Sequence, residues 1–263
     1  MNGERVRFFS IFCALVGSQL TAIRRQLPDM VLNLYIWVFC SLVIMGYIMQ
    51  SFGLASDYGC FQFASILGTV GLFEIYSNVS KNVMDFDGDR NISYYLTLPT
   101  RPSVVLASYA CYYAIIGVFL SFAALPFGKL ILYNSFSFAL VSSPRFVLLV
   151  ILANIFFGVF TLMLTAHVGT MAKIRNIWSR FIFPVWILGC YQFSWAVVYK
   201  LSVPLAYVLL CNPLVFIMEG ARASLLGQEG FLPWSVCCGA LVGYTVMIWF
   251  HMYYKMKKLL DFV

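Results

Sequence analysis

The chain has 263 residues, 62% of them hydrophobic and 10% charged, with a mean hydropathy of +0.88. Soluble domains carry about 25% charged residues, so this composition excludes a soluble protein and indicates an integral membrane one. The formal charge of +7 is placed along the chain as a topology signal, not as a nucleic-acid site.

Arg5 and Arg7 precede the apolar stretch 8–16, which imitates the start of a signal peptide. No A-x-A site follows, and Arg24 and Arg25 stand just downstream. Phe8, Phe12, Leu15, Val16 and Ile23, between basic ends, predict a helix lying in the cytoplasmic interface within residues 1–29. Six apolar runs follow, at 30–50, 60–79, 104–124, 146–166, 181–198 and 234–254. Each approaches the roughly 20 residues that a helix needs to cross a hydrocarbon core about 30 Å thick. Strand-like alternation is absent, which argues against a β-barrel. No stretch outside the runs could form a soluble domain. The expected fold is therefore all-α: one polytopic membrane domain over 1–263 with six transmembrane helices.

Arg5, Arg7, Arg24, Arg25, Lys81, Arg90, Arg101, Lys173, Arg175, Arg180, Lys255, Lys257 and Lys258 fall on one side of that topology. Lys129, Arg145, Lys200 and Arg222 fall on the other. The positive-inside rule then puts both termini in the cytoplasm. Residues 203–218 are the rival for a seventh span, but Pro204 and Pro213 interrupt them, and a seventh span would carry Lys255, Lys257 and Lys258 outside. They read instead as part of a re-entrant segment, 201–230. The eight cysteines sit mostly in apolar runs with no Cys-x-x-Cys pair, and in that setting behave as small hydrophobes. A disulfide or metal role would fall best on Cys60 and Cys211; no metal site is expected.

The second run carries Glu74 near its cytoplasmic end. It either reaches the interface, pairs with a neighbouring Lys or Arg, or touches cargo. The largest polar block, 80–102, reads SKNVMDFDGDRNISYYLTLPTRP. Its acids suggest a calcium loop, but positions six and twelve counted from Asp85 hold Arg90 and Leu96 where Gly and Glu are required. What remains is a short amphipathic helix over 87–99, with Asp87 near its start and Tyr94, Tyr95 and Leu96 as apolar anchors. It suits docking on a cytoplasmic protein; the alternative is a solvated loop. Phe181, Phe183, Trp186, Tyr191, Phe193, Trp195 and Tyr199 surround Pro184 in the fifth run. They read as packing with an interfacial aromatic belt, or as a pathway wall.

Residues 212–227, NPLVFIMEGARASLLG, place Glu219 and Arg222 three apart in an apolar setting. On a helix such residues are neighbours. They are expected to form a structural pair holding the segment against the last span, so that the swap Glu219→Arg with Arg222→Glu rescues either single change. The alternatives are a cargo contact, or separate partners on another span or subunit.

No G-x-x-x-x-G-K-[ST] nucleotide loop and no H-E-x-x-H occurs, and His167 and His251 lie at span ends. Ser194 and Ser202 have no His or Asp partner placed by sequence. Glu74 is the one carboxylate within the six runs, which speaks against proton coupling. The chain is expected to be no enzyme and to hold no cofactor.

An Asn-Pro break, a short charged helix and a Gly stop before the last span resemble the corresponding segment of ABC-2 type transporter permeases. That family also begins with an interfacial helix and carries, after span two, a coupling helix ending in a Leu-x-x-Pro-like stop, here 87–99. The family often has a Gly-Thr-Leu-Glu-like stretch there, where this chain has Asn91-Ile92-Ser93-Tyr94. The resemblance implies an exporter subunit of the bacterial cytoplasmic (inner) membrane, paired with itself or a paralogue. Its partners would be cytoplasmic ABC ATPases, which hold the ATP and Mg, and membrane lipid. It implies an amphipathic cargo, such as a lipid-linked glycan, a lipid or a drug, and short loops lean towards the polysaccharide-export branch. Spans two and five line the pathway in that family, which makes Glu74, Trp186, Tyr191 and Phe193 candidate lining residues. The rivals are a secondary carrier and a non-transporting assembly subunit.

Overall fold

A computed structural model of the chain describes residues 2–88, 90–98, 100–133, 135–136, 142–168 and 170–260, leaving aside the side chains of 2–8, 87, 171–172 and 175. Among the described residues every regular element is helical. In order they are α1 (Asn2–Ile23), α2 (Leu27–Phe52, closing through π and 3-10 turns), α3 (Tyr58–Asp87), α4 (Asn91–Thr97), α5 (Pro102–Ile131) and α6 (Ser143–Val168). Then come α7 (Met171–Ile177), a π turn (Trp178–Ile182), α8 (Phe183–Ile187), α9 (Trp195–Leu201), α10 (Val203–Leu209), α11 (Pro213–Leu225) and α12 (Trp234–Leu260). The chain is a polytopic all-α membrane protein.

Proline starts several of these helices. It occupies the first turn of α2, α5, α10 and α11, where a missing N–H costs nothing and φ is already helical. Gly53 and Gly227, at φ 94° and 105°, stop α2 and the stretch after α11, because a left-handed residue without a Cβ lets the chain turn away. Within the bundle α3 and α6 are the inner helices, and α11 packs against both and against α12. The α1 helix lies along α5 and buries Leu15, Val16 and Ile23.

Close approach of the inner helices depends on glycine. A methyl group at Gly158 of α6 would overlap the Ala110 carbonyl oxygen of α5, and one at Gly71 or Gly117 would overlap the Asn154 side-chain oxygen. In the first case the obstacle is backbone and cannot swing aside. Gly158→Ala should therefore destabilise the chain by about 1–3 kcal/mol, as overpacked cores do. Gly243→Ala, where nothing lies within 4 Å, is the control. Thermal unfolding in detergent checks the pair, and equal melting of the two variants would contradict the packing.

The number of spans agrees with the expected fold to within one, and two local elements differ from the sequence reading. Among the described residues five helices (α2, α3, α5, α6 and α12) are long and apolar enough to cross a membrane, or six if α10 and α11, bent by 97°, count as one span. The fifth expected span, 181–198, is not one helix: α8 stops at Ile187 and helix resumes at Trp195. Cys190 adopts a left-handed φ of 68°, and Gly189 lets the backbone pass close to Leu214 of α11, where a Cβ would sit 2.7 Å from that residue's own. Second, Asp87 ends α3 instead of starting the short helix expected there. Nothing before Gly88 stops α3. The new helix is seeded by Asp85, whose carboxylate accepts the Asn91 and Ile92 N–H groups at 2.9 Å each.

Candidate functional site

The interior of the bundle is built around α11. Asn212 caps it, its side-chain oxygen accepting the Leu214 N–H at 3.0 Å, and Pro213 supplies a first residue that needs no partner. Every residue from Leu214 to Leu225 is buried, including Glu219 and Arg222 at 0% exposure. Two charges in such a place are tolerated only if paired and fully hydrogen-bonded.

They are. Arg222 Nη1 lies 3.0 Å from Glu219 Oε1. The guanidinium also donates to the carbonyls of Cys190 (2.6 Å), Tyr191 (3.0 Å) and Phe193 (3.1 Å), and from Nε and Nη2 to the Ser65 hydroxyl (3.0 and 2.7 Å). Its flat face rests 3.6 Å from the centre of the Phe61 ring, a cation–π contact. Glu219 accepts the Trp195 N–H at 3.1 Å on Oε1 and the Leu232 N–H at 3.2 Å on Oε2.

These bonds have a common purpose. Residues 188–194 are irregular backbone, which frees carbonyls that need partners wherever the chain is buried. Arg222 takes three of those carbonyls, and Glu219 takes the first N–H of α9. The turn between α10 and α11 is plugged likewise: Tyr244 donates to the Leu210 carbonyl at 3.0 Å and Asn212 Nδ2 to the Val185 carbonyl at 2.6 Å. Glu219 and Arg222 thus tie α11 to α3 and to the broken fifth segment, whereas the sequence suggested the last span. The remaining tie towards α12 is the Leu232 N–H, just ahead of that helix.

The sequence candidates do not gather in one place. Trp186 and Tyr191 meet at a tilt of 45° with 4.2 Å between ring centres, and Phe73 of α3 meets Trp186 edge-on at 5.4 Å. Phe193 instead packs with a small separate cluster of Cys190, Val198, Ala206, Leu209 and Val215. Glu74 lies apart from the α11 network, in a cleft between α2 and α3. On α4, Tyr94 is 63% exposed, whereas Tyr95 and Leu96 are half-buried, Tyr95 with its ring 6.4 Å from that of Tyr109. Only the backbone of Asp87 is described, and Pro99 lies outside the described residues.

Ser65 and Phe61 escaped the sequence reading, although a signal was present. Gln62, Ser65 and Thr69 fall at i, i+3 and i+7 of an apolar run and are all buried; a polar stripe on a spanning helix marks the face turned towards protein. The chain matches no protein-family model and no curated protein.

Proposed function

We propose that the chain is the membrane-spanning permease subunit of an ATP-binding-cassette exporter of the ABC-2 type, moving an amphipathic cargo across the cytoplasmic membrane. The observation that carries this reading is α4. A seven-residue helix joins the two thirty-residue helices α3 and α5 at the end that the positive-inside bias assigns to the cytoplasm, and it leaves one aromatic side chain, Tyr94, standing out. A rigid lever on two long helices with an exposed aromatic anchor is what an external motor would need to grip. The 97° bend of α10 and α11 supports reading 201–230 as re-entrant: α11 ends beside the start of α6, where the Ser142 N–H donates to the Ser224 carbonyl at 2.9 Å.

With no G-x-x-x-x-G-K-[ST] loop in the sequence, hydrolysis belongs to a partner. Two copies, or this chain and a paralogue, would pair with two ATPases. ATP binding would draw the ATPases together, push α4, and tilt α3 and α5 to change access at the subunit interface. Purifying the tagged chain from its own membranes in mild detergent tests this. A co-purifying polypeptide with the nucleotide loop, hydrolysing ATP, is the expected result; a chain that moves cargo on an ion gradient with no such partner would contradict it.

A further inference from the structure

The cleft between α2 and α3 has a volume of about 600 Å³, within the usual range for small-molecule sites of roughly 300–1,000 Å³. Its inner wall is apolar and aromatic, with Trp37 and Phe73 in contact at 4.2 Å between ring centres. Its lining also carries Asp29, Glu74 and Lys81. Lys81 is the one cation of the lining and donates to Gln26 at 2.8 Å, so negative charge is in excess. Among the described residues Glu74 has no hydrogen-bond partner and no ion pair within 4.0 Å. It stands on a membrane-spanning helix, sixteen positions into α3. Lys81 acts on it only through space, without contact, so a closer positive charge would favour the carboxylate beside apolar surface.

We propose that this cleft binds a lipophilic organic cation: a bulky apolar body carrying a positive charge. The charge would sit between Glu74 and the faces of Trp37 and Phe73, which attract cations through their ring quadrupoles. The body would fill the wall formed by Leu34, Val70 and Leu120. An anion of the same shape would meet two carboxylates. A neutral molecule would add nothing to the distant compensation that Lys81 supplies. The proposal rests on the export reading for its meaning, because it names the class of cargo, but the binding itself requires neither ATPase nor nucleotide.

Tetraphenylphosphonium and tetraphenylborate, alike in shape and opposite in charge, are the probes. Each is equilibrated by dialysis against the purified full chain in nanodiscs, with empty nanodiscs subtracted to remove partition into lipid. Saturable binding of the cation and none of the anion is expected. Glu74→Gln should weaken cation binding by at least about tenfold, as loss of a contact charge in a poorly solvated site does, and Trp37→Leu should weaken it several-fold. Both variants are read only if they elute and melt like the parent; if neither does, the probe pair on the parent chain decides. Equal binding of the two probes, no saturable cation binding, or an unchanged affinity in Glu74→Gln would overturn the proposal. Loss of the ATPase partner in the co-purification would leave these binding results standing and remove only their link to export.

Discussion

Arg222→Ala should leave the chain unable to hold the irregular stretch 188–194 together. The substitution frees three backbone carbonyls, strands the Glu219 carboxylate in a fully buried site and removes the cation from the Phe61 face. Breaking one partner of a buried pair costs about 3–5 kcal/mol, a large part of the stability of an ordinary domain. The expected result is little monodisperse protein and a collapse of thermal stability, whereas Arg145→Ala, at an exposed position where only a cation–π contact with Trp234 is lost, should stay within about 1 kcal/mol of the parent. Arg222→Lys should fall near the alanine variant, because an ammonium has three donors where the guanidinium has five, held in a fixed plane. The geometry also reverses the expectation for the charge swap. Position 222 faces carbonyl oxygens and position 219 faces the N–H groups of Trp195 and Leu232, so Glu219→Arg with Arg222→Glu would set acceptor against acceptor and donor against donor. The swap should be no better than either single change. A swap that restores yield and melting would show that charge alone, and not the backbone contacts, holds the segment.

If α4 is the docking element proposed above, Tyr94→Ala should weaken association with the ATPase while leaving the chain folded. The ring is mostly exposed and touches Tyr95 at 5.8 Å between centres, so little of the fold depends on it. As the anchor of an interface its loss should cost roughly 2 kcal/mol of association, about thirtyfold in affinity for the ATPase. Tyr95→Ala is a different experiment, because that ring packs inward towards Tyr109 and its removal disturbs the joint between α4 and α5. Titrating purified ATPase onto the two variants, with melting measured in parallel, distinguishes them. An unchanged affinity in Tyr94→Ala would remove α4 as the docking element.

The membrane class and the long helices were legible because hydropathy reports what those helices do. The runs at 30–50, 104–124, 146–166 and 234–254 lie inside α2, α5, α6 and α12, whose ends are set by prolines, glycines and polar loops close by in sequence. The fifth span was not legible. Residues 181–198 are apolar enough to cross, and hydropathy counts side chains while saying nothing of who satisfies the backbone. The carbonyls freed at Cys190, Tyr191 and Phe193 are satisfied by an arginine some thirty positions away, a partner no local pattern can announce. The spacing of Glu219 and Arg222 did announce a pair, but not its role as a plug for broken helix. Asp87 was misplaced for a local reason: acids favour helix starts, and three of them near Gly88 suggested a start where α3 in fact runs to its end.

Crosslinking from position 94 tests most directly whether a separate ATPase grips this chain through α4. A version with the eight cysteines replaced would carry one cysteine at Tyr94 or, as the opposite-end control, at Tyr133, which is also well exposed. With a short thiol-reactive photocrosslinker in native membranes, position 94 is expected to join a polypeptide bearing the G-x-x-x-x-G-K-[ST] loop, with a yield that changes when ATP is added, and position 133 is expected not to. No adduct at 94, or the same adduct from both positions, would contradict the assignment.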